Sequence, residues 1–392
     1  MLNSTTRDQS AEVDARCLPW HDGVEVAMIG IMKGLLSVIL FALMLVGLLA
    51  FASPAEAANC SLNYAGAYVC DGRQRQTVFS APRYPYGSLF FSRTYAWLDD
   101  GAPVYNQPGG EEVVAGTEGI LYYTIEETVD AGGLWYRVGR NWWVPAETMH
   151  VVDTPRFSGV VVNDQPERPF GWLLHNVRPT AAPGIEPAEE TERLPRYTFV
   201  EIYGVADGGD DWVWYDIGGG RWIQQTYVAL IDVSPRPEEV AKHEFWVEVD
   251  LYEQTFAAYE GDRMVYAGLV SSGLDRFPTN EGIFQVYARN REWLMYGGEV
   301  GDDYYYLQDV PHTMFFDDDI ALHGAYWHND FGTQRSHGCV NMPPRDAEWV
   351  WYWSEQAPND LWVWVHSSAP DYFLQEYGDA LANNAGLLNH AR

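Results

Sequence analysis

One stretch of this sequence is written twice. Trp135-Tyr136-Arg137-Val138-Gly139, Trp143-Val144 and Val151-Val152-Asp153 recur as Trp214-Tyr215-Asp216-Ile217-Gly218, Trp222-Ile223 and Leu230-Ile231-Asp232, at a constant offset of 79 residues and without a gap. Each copy opens on an apolar pair and a proline turn, Trp97-Leu98 with Pro103 and Trp172-Leu173 with Pro179. A repeat of this kind requires one local fold built twice. Aromatic and β-branched residues alternate within it, and Gly132-Gly133 and Asp207-Gly208-Gly209 interrupt the runs as hairpin turns do. The pattern predicts two small β-barrels, over residues 95–154 and 170–233.

The same bias runs through the chain. Its 17 Trp and 25 Tyr sit largely beside Val and Ile, and heptad-like, alanine-rich stretches are nearly absent. A mainly β protein follows, and 392 residues are enough for two or three domains. A net charge of −31 with only 24 basic residues argues against a grip on nucleic acid phosphates.

Residues 1–58 read as a leader. Met32-Lys33 precedes the uncharged run Gly34 to Ala52, and Ser53-Pro54-Ala55-Glu56-Ala57-Ala58 follows it. A basic residue, an apolar core and a small-x-small site make a secretory signal, cleaved near Ala57; Met28 and Met32 are alternative starts. The run is long enough to span a bilayer, so membrane contact is expected only if it stays uncleaved. Both outcomes put the bulk of the chain outside the cytoplasm. There Cys60 and Cys70, in the mature N-terminal segment 59–94, are expected to pair, leaving Cys339 as the free thiol. Ser234-Pro235-Arg236-Pro237-Glu238-Glu239 suggests a linker over 234–241, since two prolines interrupt any strand. A third domain, 242–368, opens with Glu244 to Asp250 and closes with Leu361-Trp362-Val363-Trp364-Val365. A polar tail, 369–392, carries one short helix-like stretch.

Chemistry concentrates in Ala321-Leu322-His323-Gly324 and Arg335-Ser336-His337-Gly338-Cys339-Val340-Asn341-Met342. Nucleophilic catalysis by sulfur needs a thiol, a base and backbone amides aimed at a developing oxyanion. Gly338 allows a close backbone approach beside Cys339. A thiol of ordinary pKa needs a base or a positive field at neutral pH. His337, two residues before Cys339, would share its face in extended backbone. His323, 16 residues upstream, can be brought alongside by two short strands. Spacing leaves the two tied. The spacing also lacks the paired Cys-x-x-Cys or His-x-x-x-His units of common zinc sites, so no metal is expected.

The segment resembles the signature of the L,D-transpeptidase (YkuD-type) catalytic domain: His-Gly, a loop, then Ser/Thr-His-Gly-Cys-x-Asn or Arg. The similarity extends over about 242–367 and takes in Val249-Asp250, Gln254-Thr255, Val270-Ser271-Ser272-Gly273 and Thr279-Asn280-Glu281-Gly282-Ile283-Phe284. Asn280 departs from the usual Thr-Pro-x-Gly. The repeats resemble bacterial SH3-like modules, which accompany wall-acting enzymes. The resemblance implies a β-rich catalytic domain without a cofactor, with peptidoglycan stem peptides and the cell wall as partners. It implies Cys339 as nucleophile, His323 as general base and acid, and the Gly324 carbonyl orienting the imidazole. Gly338 would lend an oxyanion amide together with that of Cys339. His337 and Ser336 would shape the pocket, and Asn341 would brace the turn. The implied reaction forms cross-links through an acyl-enzyme, releasing D-alanine. Transfer of the acyl group to water, as in a carboxypeptidase or wall hydrolase, and wall binding without catalysis are the alternatives.

Overall fold

The computed structural model describes residues 78–83, 92–209 and 212–370, with the backbone of three short strands, Cys60–Leu62, Tyr68–Cys70 and Arg73–Gln74. The leader, the side chains of Cys60 and Cys70, and the helix-like stretch of the tail lie outside the described residues. Among those described, no helix is long and apolar enough to cross a membrane. All that follows belongs to one compact unit, Ser61–Arg392.

The protein is built mainly of strands. Its central one, Phe245–Asp250, pairs antiparallel with Thr255–Glu260 and parallel with Trp362–His366. The sheet runs Gly282–Gln285, Trp362–His366, Phe245–Asp250, Thr255–Glu260, Arg263–Leu269, Val160–Val162, Phe79–Ser80. The central strand is buried from Trp246 to Asp250 without alternation. The reason is that both faces are covered. Val247 and Val249 join a core with Met314, Leu322, Val340 and the helix residue Val350. Trp246, on the other face, joins a core with Phe170 and Trp172 from the second repeat. Polar residues on such a strand must be partnered. Glu248 accepts hydrogen bonds from Tyr259 and Ser234 and meets His366 at 2.8 Å, and Asp250 accepts the amides of Tyr252 and Ser368.

The second sheet runs Met149–Val151, Tyr95–Leu98, Ile120–Thr124, Tyr305–Asp317, Ile320–Gly324, Val340–Met342, with Ala288–Gly297 also on Tyr305–Asp317. The first repeat is therefore continuous with the sheet that carries His323, through a parallel pairing of Ile120 to Tyr122 with Tyr305 to Leu307. A helix, Pro344–Ser354, begins on a proline suited to its first turn and buries Ala347, Val350 and Trp351. Nothing in the strand pattern announced it.

The repeat is realised in three dimensions. Ala146–Thr148 and Gln225–Tyr227 are equivalent 3-10 turns at the 79-residue offset, each leading into a strand, Met149–Val151 and Val228–Ile231. Met149–Val151, Tyr95–Leu98 and Ile120–Thr124 neighbour one another in the order that Val228–Ile231, Phe170–Leu173 and Phe199–Glu201 repeat. Glu127–Asp130, Leu134–Gly139 and Trp142–Pro145 likewise match Gly204–Asp207, Val213–Asp216 and Trp222–Gln224.

Strand pairing crosses the boundaries that composition suggests. Val160–Val162, from the interval between the repeats, is hydrogen-bonded to Arg263–Leu269. The 234–241 segment has no strand, as its prolines require, yet it is packed: Val240 is fully buried and Arg236 is 2.8 Å from Asp262.

Candidate active site

The parallel pairing of Ile320–Gly324 with Val340–Met342 sets Leu322 opposite Val340 and His323 opposite Asn341. Carried one step back, the register brings Cys339 to Ala321, whose N–H donates to the sulfur. His323 and Ala321 are two apart on one strand, and Cys339 immediately precedes the other. Cys339 ends the turn before Val340–Met342, so it meets the His323 strand at Ala321, two residues before His323, and not through strand alternation.

His323 is almost wholly buried, and its Nδ1 donates to the Gly324 carbonyl at 3.3 Å. That bond leaves Nε2 as the free lone pair. Burial pushes the imidazole down to about 4 despite the carbonyl's opposing effect, so it is neutral at pH 7. Gly324 is required where it stands: a side-chain carbon there would lie 2.9 Å from Pro311 and 3.1 Å from Pro344. The thiol of Cys339 keeps a partly exposed surface and points its proton at the Asp319 carbonyl, 3.6 Å away. Crowding by protein pushes the thiol up to about 11; the Ala321 amide pulls down, and the Asp319 carboxylate adds to the rise. The pair is uncharged at rest.

The turn before Cys339 has its own wiring. Gly338 sits at φ +116°, a conformation that side chains disfavour. The turn takes His337 and Cys339 out of extended backbone, so the shared-face argument for His337 does not hold. His337 instead packs against Phe277 at 4.4 Å and Tyr305 at 5.0 Å, with Nε2 3.5 Å from Asp303. Burial lowers its pKa, partly offset by Asp303. Ser336 is buried; its hydroxyl accepts the Gly338 amide at 3.1 Å and donates to the Cys339 carbonyl. The hydroxyl expected to face substrate thus braces the turn, and the Gly338 amide expected at the oxyanion is engaged in this resting arrangement. Asn341, expected to brace the turn, is buried and meets Nε2 of His328 at 2.9 Å.

Two residues around this turn escape a reading by spacing. Thr279 donates from Oγ1 to the Gly338 carbonyl at 2.7 Å and accepts the Gly273 amide at 2.9 Å. Because the peptide is planar and trans, holding the Gly338 carbonyl also fixes the direction of the Cys339 N–H. Gly273 has room only for hydrogen: a side-chain carbon would lie 2.1 Å from the Phe277 carbonyl. The second is His328, buried and pushed down to about 3 by burial and by Arg335. Its Nδ1 accepts the Asp330 amide at 3.2 Å. Thr279 stood inside a recognised motif, but only the fold brings it to Gly338.

Residues 244–365 match the L,D-transpeptidase catalytic domain family, YkuD. The Bacillus subtilis (strain 168) protein named "Putative L,D-transpeptidase YciB" is 30% identical over 128 residues, 29% of this chain and 63% of the relative. The chain thus spans less than two thirds of that curated relative's length. Among solved structures, the Enterococcus faecium L,D-transpeptidase catalytic domain acylated by ertapenem is 22% identical, with 32% of this chain and all of that one covered at a TM-score of 0.28. An L,D-transpeptidase from Mycobacterium smegmatis is 16% identical over 55% of this chain and 93% of its own, at a TM-score of 0.30.

Proposed function

We propose that this chain, whose residues 244–365 match the L,D-transpeptidase catalytic domain, forms peptidoglycan cross-links by cysteine acyl transfer outside the cytoplasm. The observation that supports the reading is Cys339 beside Ala321, two residues before His323 on the paired strand, with the imidazole tied at Nδ1 to Gly324. Sulfur turns from the Asp319 carbonyl and gives its proton to Nε2 of His323 as it attacks the carbonyl carbon of the third stem residue. The Cys339 amide, aimed by Thr279, faces the resulting oxyanion, and the Gly338 amide joins it once released from Ser336. Collapse expels D-alanine, whose amine takes the proton from His323, and leaves a thioester on Cys339. An amine of a neighbouring stem then attacks, loses its proton to His323, and restores the thiol. Export rests on the apolar run after Lys33 and on Ala55-Glu56-Ala57; the two repeats, read as SH3-like modules, hold the enzyme at the wall.

The test is incubation with purified tetrapeptide muropeptides. Dimers with released D-alanine are expected from the native chain, and neither from Cys339→Ala. Tripeptide without dimers would assign the acyl group to water. Release of D-alanine by Cys339→Ala would remove the nucleophile assignment. Intact mass after exposure to ertapenem should show one adduct, on Cys339.

A further inference from the structure

The loop between the two halves of the site is held from outside the catalytic domain. Its residues 326–331 reach His323 directly through Trp327 and its register partner Asn341 through His328. The Trp327 ring stacks on the imidazole, with centroids 5.7 Å apart and planes at 30°. His328, next in sequence, bonds to Asn341, the register partner of His323.

Each repeat grips the backbone of this loop with a tyrosine hydroxyl. Tyr122, on Ile120–Thr124 of the first copy, donates to the Trp327 carbonyl at 3.3 Å, and Tyr95 of the same copy stacks on Tyr326 at 3.7 Å. Tyr197 of the second copy donates to the Asn329 carbonyl at 2.7 Å and lies 3.3 Å from that of Phe331. Beside it, the Arg196 guanidinium lies over the Tyr197 ring at 4.4 Å and reaches the Phe331 carbonyl at 3.2 Å and Asp330 at 3.3 Å. Tyr197 takes φ +67°, a strained angle for a ring-bearing residue, held by the packing around it. Strain of this kind marks a position whose geometry is fixed by its surroundings.

We propose that Tyr122 and Tyr197, one from each copy of the repeat, are positioning residues for the base. By pinning the carbonyls of Trp327 and Asn329 they hold Trp327 against the imidazole and His328 on Asn341, and so fix the direction of the His323 Nε2 lone pair. The repeats are then part of the catalytic apparatus. The consequence for rate rests on the acyl-transfer reading; the positioning itself does not. Misplacement of a base by a fraction of an ångström costs rate even when every catalytic group is present.

The experiment compares the full native chain with Tyr122→Phe, Tyr197→Phe and the double variant, which remove only the hydroxyls. Two readouts are taken: the His323 Nδ1–H proton resonance, and the single-turnover rate of Cys339 acylation by ertapenem. The double variant should broaden or lose the His323 resonance, speed hydrogen exchange at the Asp330 amide but not across the central strand, and slow acylation by about tenfold. An unchanged resonance and unchanged exchange at Asp330 would overturn the proposal, as would a disturbed loop with a native acylation rate. If the native chain is not acylated at all, the transfer reading fails, and the resonance with the exchange pattern alone decides whether the tyrosines position His323.

Discussion

At Cys339 the resting thiol donates to the Asp319 carbonyl and accepts from the Ala321 amide, while His323 is buried and neutral. Both shifts favour the uncharged pair over a thiolate–imidazolium pair, since desolvation penalises each charged form. Alkylation of Cys339 by iodoacetamide should therefore be slow at pH 7, on the order of a hundredfold slower than free cysteine, because reactivity follows the thiolate fraction. The rate should climb steadily past pH 9 toward the thiol's value of about 11. A plateau reached near neutral pH would show a preformed ion pair and contradict the assignment. At this scale the grouping of Cys339, His323 and His337 was legible in the sequence, where spacing left the two histidines tied and the family resemblance favoured His323. What spacing could not record is Gly338 at φ +116°, beside which His337 packs on Phe277 and Tyr305.

At the scale of elements, the helix Pro344–Ser354 is fastened by one buried carboxyl. Asp346 accepts the Gly159 amide at 2.9 Å and the Tyr266 hydroxyl at 2.7 Å. Burial pushes it up from 3.8 to about 7, although Tyr266, Gly159 and Arg345 all pull down. A raised folded pKa means the fold holds a proton that the unfolded chain releases. Stability from this group is therefore full below 3.8 and is lost as pH rises through about 7. Relative to Asp346→Asn, the native chain should lose at most ~1.4 kcal/mol per pH unit across that range, and nothing further above it. Taking the difference between the two chains separates Asp346 from the buried imidazoles His312, His323 and His328, whose lowered values act the other way, destabilising the fold as pH falls below 6.5. Parallel stability curves for the two chains from pH 4 to 7 would contradict the account. This helix was missed because its apolar residues arrive as a run of tryptophans that reads equally well as strand.

For the whole molecule, one observation governs: the repeats share cores and sheets with the catalytic domain. Phe170 and Trp172 of the second copy pack in one core with Trp246, Tyr259 and Phe331. The first copy continues the sheet of His323. Units joined this way should melt together. Urea unfolding is expected to be a single transition by tryptophan fluorescence and by far-ultraviolet dichroism alike. Trp172→Ala, which empties a buried site, should lower the whole transition by ~3–5 kcal/mol. Two separated transitions, or a loss confined to one part of the chain, would show that the shared core does not couple them.

The sequence by itself determined what is periodic or local: the strand-rich class, a doubled unit at a fixed offset, and the neighbourhood of Cys339 and His323. Those follow from side-chain alternation, turn residues and short-range chemistry, which the chain carries in its order. Tertiary structure alone decided what depends on contacts distant in sequence. Among these are Thr279 on the Gly338 carbonyl, Asn341 on His328, and Tyr122 and Tyr197 on the loop beside the base. No periodicity records which strand will lie beside which. The parallel pairing of Ile120 to Tyr122 with Tyr305 to Leu307 exists because two partly apolar edges, far apart in the chain, bury each other's surface.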